Sequence, residues 1–312
     1  MNPLKRYHDL LNPLSQTNNW RKIHLYSAAA IGLAFAAGSI TQAQVSTIKT
    51  VLVQSRLYND VPGAVLTVVT NYPTLISFTE QNVSAASGFA NRDVWHFSAN
   101  GQTNAYNFQN NDYFTVSMNV TLTGNPPTPR KEAGFVFNNP LNDGGEFILD
   151  TDAHEIVAFG GFLPFYAFPA TFQSGDTVRM GITVFQDSSG KNAIVYSANG
   201  VNSPALPFSN AEQGVINNTT IGGYFQIQQD GSNPSNSGSA VYGNISIGAP
   251  LNISVSGNQV SVYWPASATN YVLQTSTNLS SVNWTTVSNG LPIIGVTLPS
   301  SPVGAYFRLQ AP

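Results

Sequence analysis

Between Phe114 and Val120 every second residue is apolar: Phe114, Val116, Met118 and Val120 alternate with Thr115, Ser117 and Asn119. Such a period puts the two sets on opposite faces of a strand, only one of which is buried. Strand-length runs dense in Val, Ile, Thr and Phe recur at 64–70, 132–138, 145–151, 155–161, 176–187, 192–200, 221–229 and 240–248. Gly, Asn, Asp and Pro punctuate them. No helical period of useful length follows residue 43. The fold class expected is all-β, an antiparallel sandwich or jelly roll.

The first 43 residues read differently. Lys5, Arg6, Arg21 and Lys22 precede an uncharged apolar run from Leu25 to Ala37, and Thr41 and Ala43 suit a cleavage after Ala43. This is the layout of a secretory signal peptide. A retained membrane anchor is the alternative, but the apolar centre of 13 residues falls short of the ~20 needed to span a bilayer. The protein is expected to be exported, secreted or held at the cell surface, with no membrane span after cleavage.

Residues 44–312 carry eight Lys/Arg against fourteen Asp/Glu, and the bases are scattered apart from Arg130-Lys131, so a nucleic-acid footprint is absent. There is no cysteine, which excludes thiolate chemistry and disulfide staples. His96 and His154 each lack a second His at ligand spacing, which argues against zinc. No cofactor is expected. Asp230, in "QQDGSNPSNSGS", is a weak calcium candidate, because calcium takes about 6–8 oxygen ligands. The whole chain is 9% charged yet rich in Asn, Gln, Ser and Thr, a surface suited to neutral partners such as polysaccharides.

A boundary falls near Pro250, dividing residues 44–249 from a unit spanning 250–312. The later strands are shorter, and "SGNQ" at 256–259 is a tight hairpin turn. Arg308 is the one charged side chain there, so this unit can supply no general acid, base or metal ligand. Its Trp264, Tyr271, Trp284, Tyr306 and Phe307 could stack on sugars, but in so small a unit they are expected in its core.

The runs "FTVSMNV…EAGFVF", "FILDTDAHEIVAFGG", "SGDTVRMGITVF…IVYSANG" and "VYGNISI" make residues 45–248 resemble the concanavalin A-like lectin/glucanase (LamG-like) sandwich. "VSVYWPASATNYVLQTSTNLSSVNWTTV" and "AYFRLQAP" make 251–312 similar to a short fibronectin type III-like module of exported bacterial proteins. The second resemblance implies an accessory or surface-associating role. The first raises a question about "DTDAHE". Retaining glucanases of that fold carry E-x-D-x-x-E on one strand, where a bulge returns the sixth residue to the face of the first. The resemblance would then make Asp150 the nucleophile, Asp152 its modulator and Glu155 the acid/base of an endo-acting glycoside hydrolase. Asp150 departs from the pattern by one methylene. The alternation instead reads as a hairpin, with strands ending at Asp150 and restarting at Glu155, and with Asp152, Ala153 and His154 as a polar turn. Its carboxylates would be solvated, with ordinary proton affinities.

The remaining candidate is "FGGFLPFYAFPATF", a stiff loop broken by Pro164 and Pro169. Phe162, Phe165, Tyr166 and Phe168 either stack on sugars or cover an end of the sandwich. The function expected first is a non-catalytic glycan-binding or adhesion protein recognising neutral glycans, possible attachment to the cell surface coming from the C-terminal unit. The hydrolase and a purely structural surface or matrix protein are the alternatives.

Overall fold

The computed structural model describes residues 47–99, 103–109, 112–139, 142–186, 192–208, 216, 218–249, 251–256, 258–263, 272–277, 283–287, 295–299 and 305–310. The expected signal segment lies outside them, as do Trp264 and Tyr271. Residues 50–248 contribute the strands β1 (Thr50–Asn59), β2 (Val65–Asn71), β3 (Leu75–Gln81), β4 (Ala90–Ser98), β5 (Asn107–Phe108) and β6 (Phe114–Asn125). They continue as β7 (Lys131–Asn139), β8 (Asn142–Asp150), β9 (Ile156–Phe159), β10 (Tyr166–Ala167) and β11 (Thr177–Gln186). β12 (Asn192–Ala198), β13 (Val201–Asn202), β14 (Leu206–Pro207), β15 (Thr219–Gln228) and β16 (Ser237–Gly248) complete the set.

These strands form two antiparallel sheets. The first runs β1-β4-β15-β7-β8-β9-β10, with β5 paired to β15; the second runs β13-β12-β11-β6-β16-β3-β2, with β14 paired to β12. The chain crosses repeatedly between the sheets, at β1–β2, β3–β4, β5–β6, β6–β7, β10–β11, β14–β15 and β15–β16, as in a jelly-roll sandwich. β15 enters the first sheet between β4 and β7, and β16 enters the second between β6 and β3.

The alternating face of β6 is the buried face: Phe114, Val116, Met118 and Val120 join Trp95, Phe97, Phe135, Phe147 and Leu149 in one core. The Trp95 ring meets Phe97 edge-on at 5.2 Å and Tyr242 at 5.7 Å. The Tyr242 hydroxyl donates to the Tyr224 carbonyl, tying the second sheet to the first. Lys131 is fully buried and donates to Pro126 O at 2.8 Å and Asn236 Oδ1 at 2.7 Å. Burial lowers its ammonium to about 8. Strands β1, β3 and β4 were not visible as alternation in the sequence.

The C-terminal residues form two three-stranded sheets. One joins β17 (Asn252–Ser256), β18 (Gln259–Tyr263) and β21 (Gly295–Pro299); the other joins β19 (Val272–Ser276), β20 (Thr285–Thr286) and β22 (Tyr306–Gln310). β17 and β18 pair down to Ser256↔Gln259, at the expected tight turn. Val262 and Leu273 centre a small core that Phe307 packs against. Tyr306 is 43% exposed and does not belong to that core, contrary to expectation. Trp284 is half-buried beneath the Arg308 guanidinium, which lies 4.3 Å from the ring centroid.

Gly223 on β15 faces the Trp95 indole, where an added Cβ would lie 2.5 Å from Nε1 and 2.7 Å from Cε2. A ring locked by neighbours on two sides cannot retreat. Gly223→Ala should therefore cost about 1–3 kcal/mol, read as a lower urea midpoint at an unchanged slope. A variant as stable as wild type would contradict this packing.

Candidate functional site

Residues directly paired across antiparallel strands share a face. In the first sheet the pairs Tyr58↔Arg92, Tyr224↔Val94, Gly134↔Tyr224, Val136↔Glu146, Ile148↔Val157 and Glu146↔Phe159 trace the face turned away from the aromatic core. That face is not simply wet. Val94, Tyr224, Val136, Ile148 and Val157 form a second buried cluster, with Phe159 against it. Ions placed beside this apolar stripe are desolvated and need partners.

The partners are present. Arg92 bonds Glu146 Oε1 at 2.7 Å, and its guanidinium carbon lies 4.5 Å from the Tyr224 ring centroid. The Tyr224 hydroxyl faces Glu132 Oε2 at 2.9 Å and Glu146 Oε2 at 3.2 Å. Gln226 Nε2 donates to Glu132 Oε2 at 3.1 Å. Arg130 pairs with the other Glu132 oxygen and lies 2.9 Å from Asp150 Oδ2 and 4.0 Å from Asp152 Oδ1. Two guanidiniums thus serve four carboxyls. Burial, opposed by Arg130 and reinforced by Glu146, raises the Glu132 carboxyl above its ordinary range. Burial and the charges of Glu132 and Glu146 push the Tyr224 phenol well up, so it remains a hydroxyl. His96, on the same face, contacts Asn138 Nδ2 through Nε2 at 2.9 Å. Burial and then Arg92 hold it down to about 4, so it stays neutral.

A groove of about 300 Å³ opens over this network, lined among others by Tyr58, Arg92, Asn138, Glu146, Phe159 and Gly160. Its lining comes from β1, β4, β7, β8 and β9, so it runs across the strands rather than along one. From β1 to β9 is five strand intervals, roughly 24 Å at about 4.8 Å each. Tyr58, 50% exposed, stands at the β1 end, and half-buried Phe159 at the other.

The sequence-derived candidates fall elsewhere. "DTDAHE" is the β8–β9 hairpin: Asp150 N bonds Glu155 O across it, and the chain reverses through 151–153. The three acids therefore do not share one strand. Asp152 bonds its own turn, accepting the Ala153 amide at 3.0 Å. The expected solvation is wrong for Asp150, which is fully buried. Its Oδ1 accepts the amides of Asp152 at 3.1 Å and Ala153 at 2.9 Å, while Oδ2 faces Arg130. Oδ1 is held by the turn amides and Oδ2 lies 2.9 Å from Arg130 without a hydrogen bond, so the fully buried carboxyl is not presented at the surface where a substrate would lie. Glu155 and Asp152 are exposed. In the aromatic loop, Phe162, Phe168 and Phe172 are buried in the main core and cannot stack on a sugar. Phe165, 69% exposed, and half-buried Tyr166 remain at the surface. Asp230 is occupied by Ser232, through its amide at 3.0 Å and its hydroxyl at 2.6 Å. Among the described residues no group of three or more His, Cys, Asp or Glu could hold a metal ion. No described helix is long and apolar enough to cross a membrane.

No family model matches the chain, and no curated protein matches it. Solved structures do. An alginate lyase from Pseudomonas aeruginosa is 12% identical, with 58% of this chain and 85% of that one covered at a TM-score of 0.45. The carbohydrate-binding module CBM66 from Bacillus subtilis is 11% identical, covering 59% and 94% at 0.35. A functionally unknown protein from Saccharomyces cerevisiae is 12% identical, covering 62% and 100% at 0.38. These identities are too low to carry an activity from any of them to this chain.

Burial first, then the Asp152 carboxyl, push Asp150 up to about 7, against the pull of the Ala153 amide and Arg130. A carboxyl whose folded value is raised from 3.8 holds its proton more tightly when folded. Its stabilisation is complete below about 4 and is lost as pH rises through about 7. Asp150→Asn cannot ionise but keeps the acceptor for the turn amides. Its melting temperature should gain on wild type between pH 4 and 7 and run parallel above, at about 2–4 °C per kcal/mol. A difference constant across that range would contradict the raised proton affinity.

Proposed function

We propose that the protein is an exported, non-catalytic glycan-binding protein whose first-sheet groove takes a stretch of neutral polysaccharide. The composition of the groove carries this reading. Tyr58 and Phe159 offer apolar ring faces at its two ends, suited to the C–H faces of sugars. Between them lie an amide, Asn138, and an ion pair, Arg92–Glu146, whose charges cancel. Paired ions still hydrogen-bond sugar hydroxyls strongly, without demanding a charged ligand. A polyuronate would need a cation free of a carboxylate, and Arg92, the one cation among the described residues lining the groove, is committed to Glu146. The length of the groove suits a chain of several sugars, so affinity should grow with oligosaccharide length.

The signal-like segment supports export, and sequencing of the protein recovered from outside its producing cells should begin near Gln44. The C-terminal unit, with two small sheets and no acid, base or metal ligand of its own, suits attachment to the cell surface; its fibronectin type III-like character belongs to the same reading. Binding at one such groove is expected between about 1 mM and 1 μM. The test is retention on neutral β-glucan and galactan beside a polyuronate. Wild type should be retained on a neutral polymer, Tyr58→Ala about tenfold more weakly, a loss of ~1.4 kcal/mol, and Phe165→Ala unchanged. Retention by polyuronate alone, or loss in Phe165→Ala but not Tyr58→Ala, would refute the neutral groove. Release of reducing sugar abolished by Glu155→Gln would restore the hydrolase.

A further inference from the structure

Of the acids of "DTDAHE", Asp150 is buried rather than solvated, and it is not isolated from the groove. Asp150 reaches Arg130, Arg130 reaches Glu132, Glu132 meets the Tyr224 hydroxyl, and that hydroxyl meets Glu146, the partner of Arg92 in the groove. We infer that Arg130, Glu132 and Tyr224 are positioning residues, a relay by which Asp150 in the β8–β9 turn sets the hydrogen bonding and orientation of Glu146 in the groove. The inference rests on the glycan-binding reading of that groove for its consequence, though not for its geometry.

The stoichiometry of protons makes the chain a relay rather than a set of contacts. A phenol carries one proton, and Tyr224 has two carboxylate oxygens within bonding distance. Giving the proton to Glu132 leaves Glu146 facing a lone pair of the phenol oxygen. Arg130 decides how strongly Glu132 attracts that hydrogen. With Asp150 ionised, the guanidinium is shared between Asp150 and Glu132. With Asp150 protonated, it concentrates on Glu132, whose pull on the phenol weakens. The hydroxyl then turns to Glu146, which holds Arg92 less firmly. The charged and titratable groups facing Asp150 are Arg130, Asp152 and Glu132, with Glu155 and His154 in its own turn; those facing Glu146 are Arg92, Glu132 and Tyr224. Burial places the Asp150 change near pH 7.

The test needs no ligand to begin. In protein labelled with carbon-13 at Glu side-chain carboxyls, the Glu146 resonance should show an inflection near pH 7. That inflection should vanish in Asp150→Asn, which keeps the turn's acceptor. It should vanish in Tyr224→Phe too, which removes one oxygen and keeps the ring. A Glu146 curve without that inflection in wild type, or one that persists in either variant, overturns the relay. On soluble β-glucan, Tyr224→Phe should bind about fivefold or more weakly, with the pH dependence of wild type flattened. If the resonances couple but neither wild type nor variants bind any neutral glycan, the relay stands and the glycan reading falls. If binding is intact in wild type and in Tyr224→Phe without coupling, the groove stands and the relay falls.

Discussion

The first sheet is buried on both sides, and that constraint shapes the rest of the molecule. One side meets the aromatic core around Trp95; the other carries the stripe of Val94, Tyr224, Val136, Ile148 and Val157. A carboxylate or guanidinium beside such a stripe cannot rely on water and must find its partner within the protein. Hence Arg92 spans to Glu146, 54 residues away in sequence, and Arg130 gathers Glu132 and Asp150. With carboxyls in excess of guanidiniums, burial leaves the surplus acid holding its proton more tightly than in water. The altered acidity of Glu132 and Asp150 thus follows from fold geometry. It does not by itself require a catalytic role.

Topology then ties the groove to the core. β15 completes the first sheet only by inserting between β4 and β7, late in the chain. The same strand sends Phe225 and Ile227 into the core and Tyr224 and Gln226 into the ion network. Neither side can form without the other, and both wait on pairings between distant segments. Such non-local sandwiches fold slowly, on the millisecond to second scale. In the native state the network belongs to the centre of a sheet rather than to a fraying loop, so its geometry is pre-organised.

How much of this was legible in the sequence depended on where each strand finds its partners. β6 could be read because one face is uniformly apolar and the other is Ser, Thr and Asn, and β11 because Val178, Met180, Ile182 and Val184 alternate along one face. β4, "ANRDVWHFS", could not be. Asn91 and Asp93 point inward, where their Oδ1 atoms accept the backbone amides of Val61 and Arg56, while Arg92 points outward to Glu146. No local pattern announces a strand whose polar residues occupy both faces with partners 30 or more residues away. The hairpin at "DTDAHE" was legible from alternation and turn chemistry. The burial of Asp150 was not, because Arg130 comes from the connection that precedes β7, 20 residues earlier in the chain. The aromatic loop misled for a related reason. Pro164 and Pro169 prevent a long strand, yet Phe162, Phe168 and Phe172 still reach the core between them. The groove was invisible throughout, since five strands that are scattered in sequence build it.

The two outer faces of the sandwich solve hydration differently, and the difference locates function. On the second sheet, hydroxyls satisfy one another across strands: Thr115 with Thr183 at 3.0 Å, Ser117 with Ser246 at 2.8 Å, Thr121 with Thr177 at 2.6 Å. Arg179 lies among them, bonded to Ser117, Asn119 and the Asn244 carbonyl. Replacing one such hydroxyl contact by water changes little. On the first sheet the contacts are ionic, partly desolvated and connected through a single phenolic proton. Under the glycan-binding reading proposed above, a sugar hydroxyl entering there would compete for Arg92 or Glu146 and so act on the rest of the network. In a protein only 9% charged, these six ionisable side chains meet on one face beside a groove. Elsewhere the surface is largely amide and hydroxyl. The chemistry able to register a bound partner is therefore concentrated where the groove is.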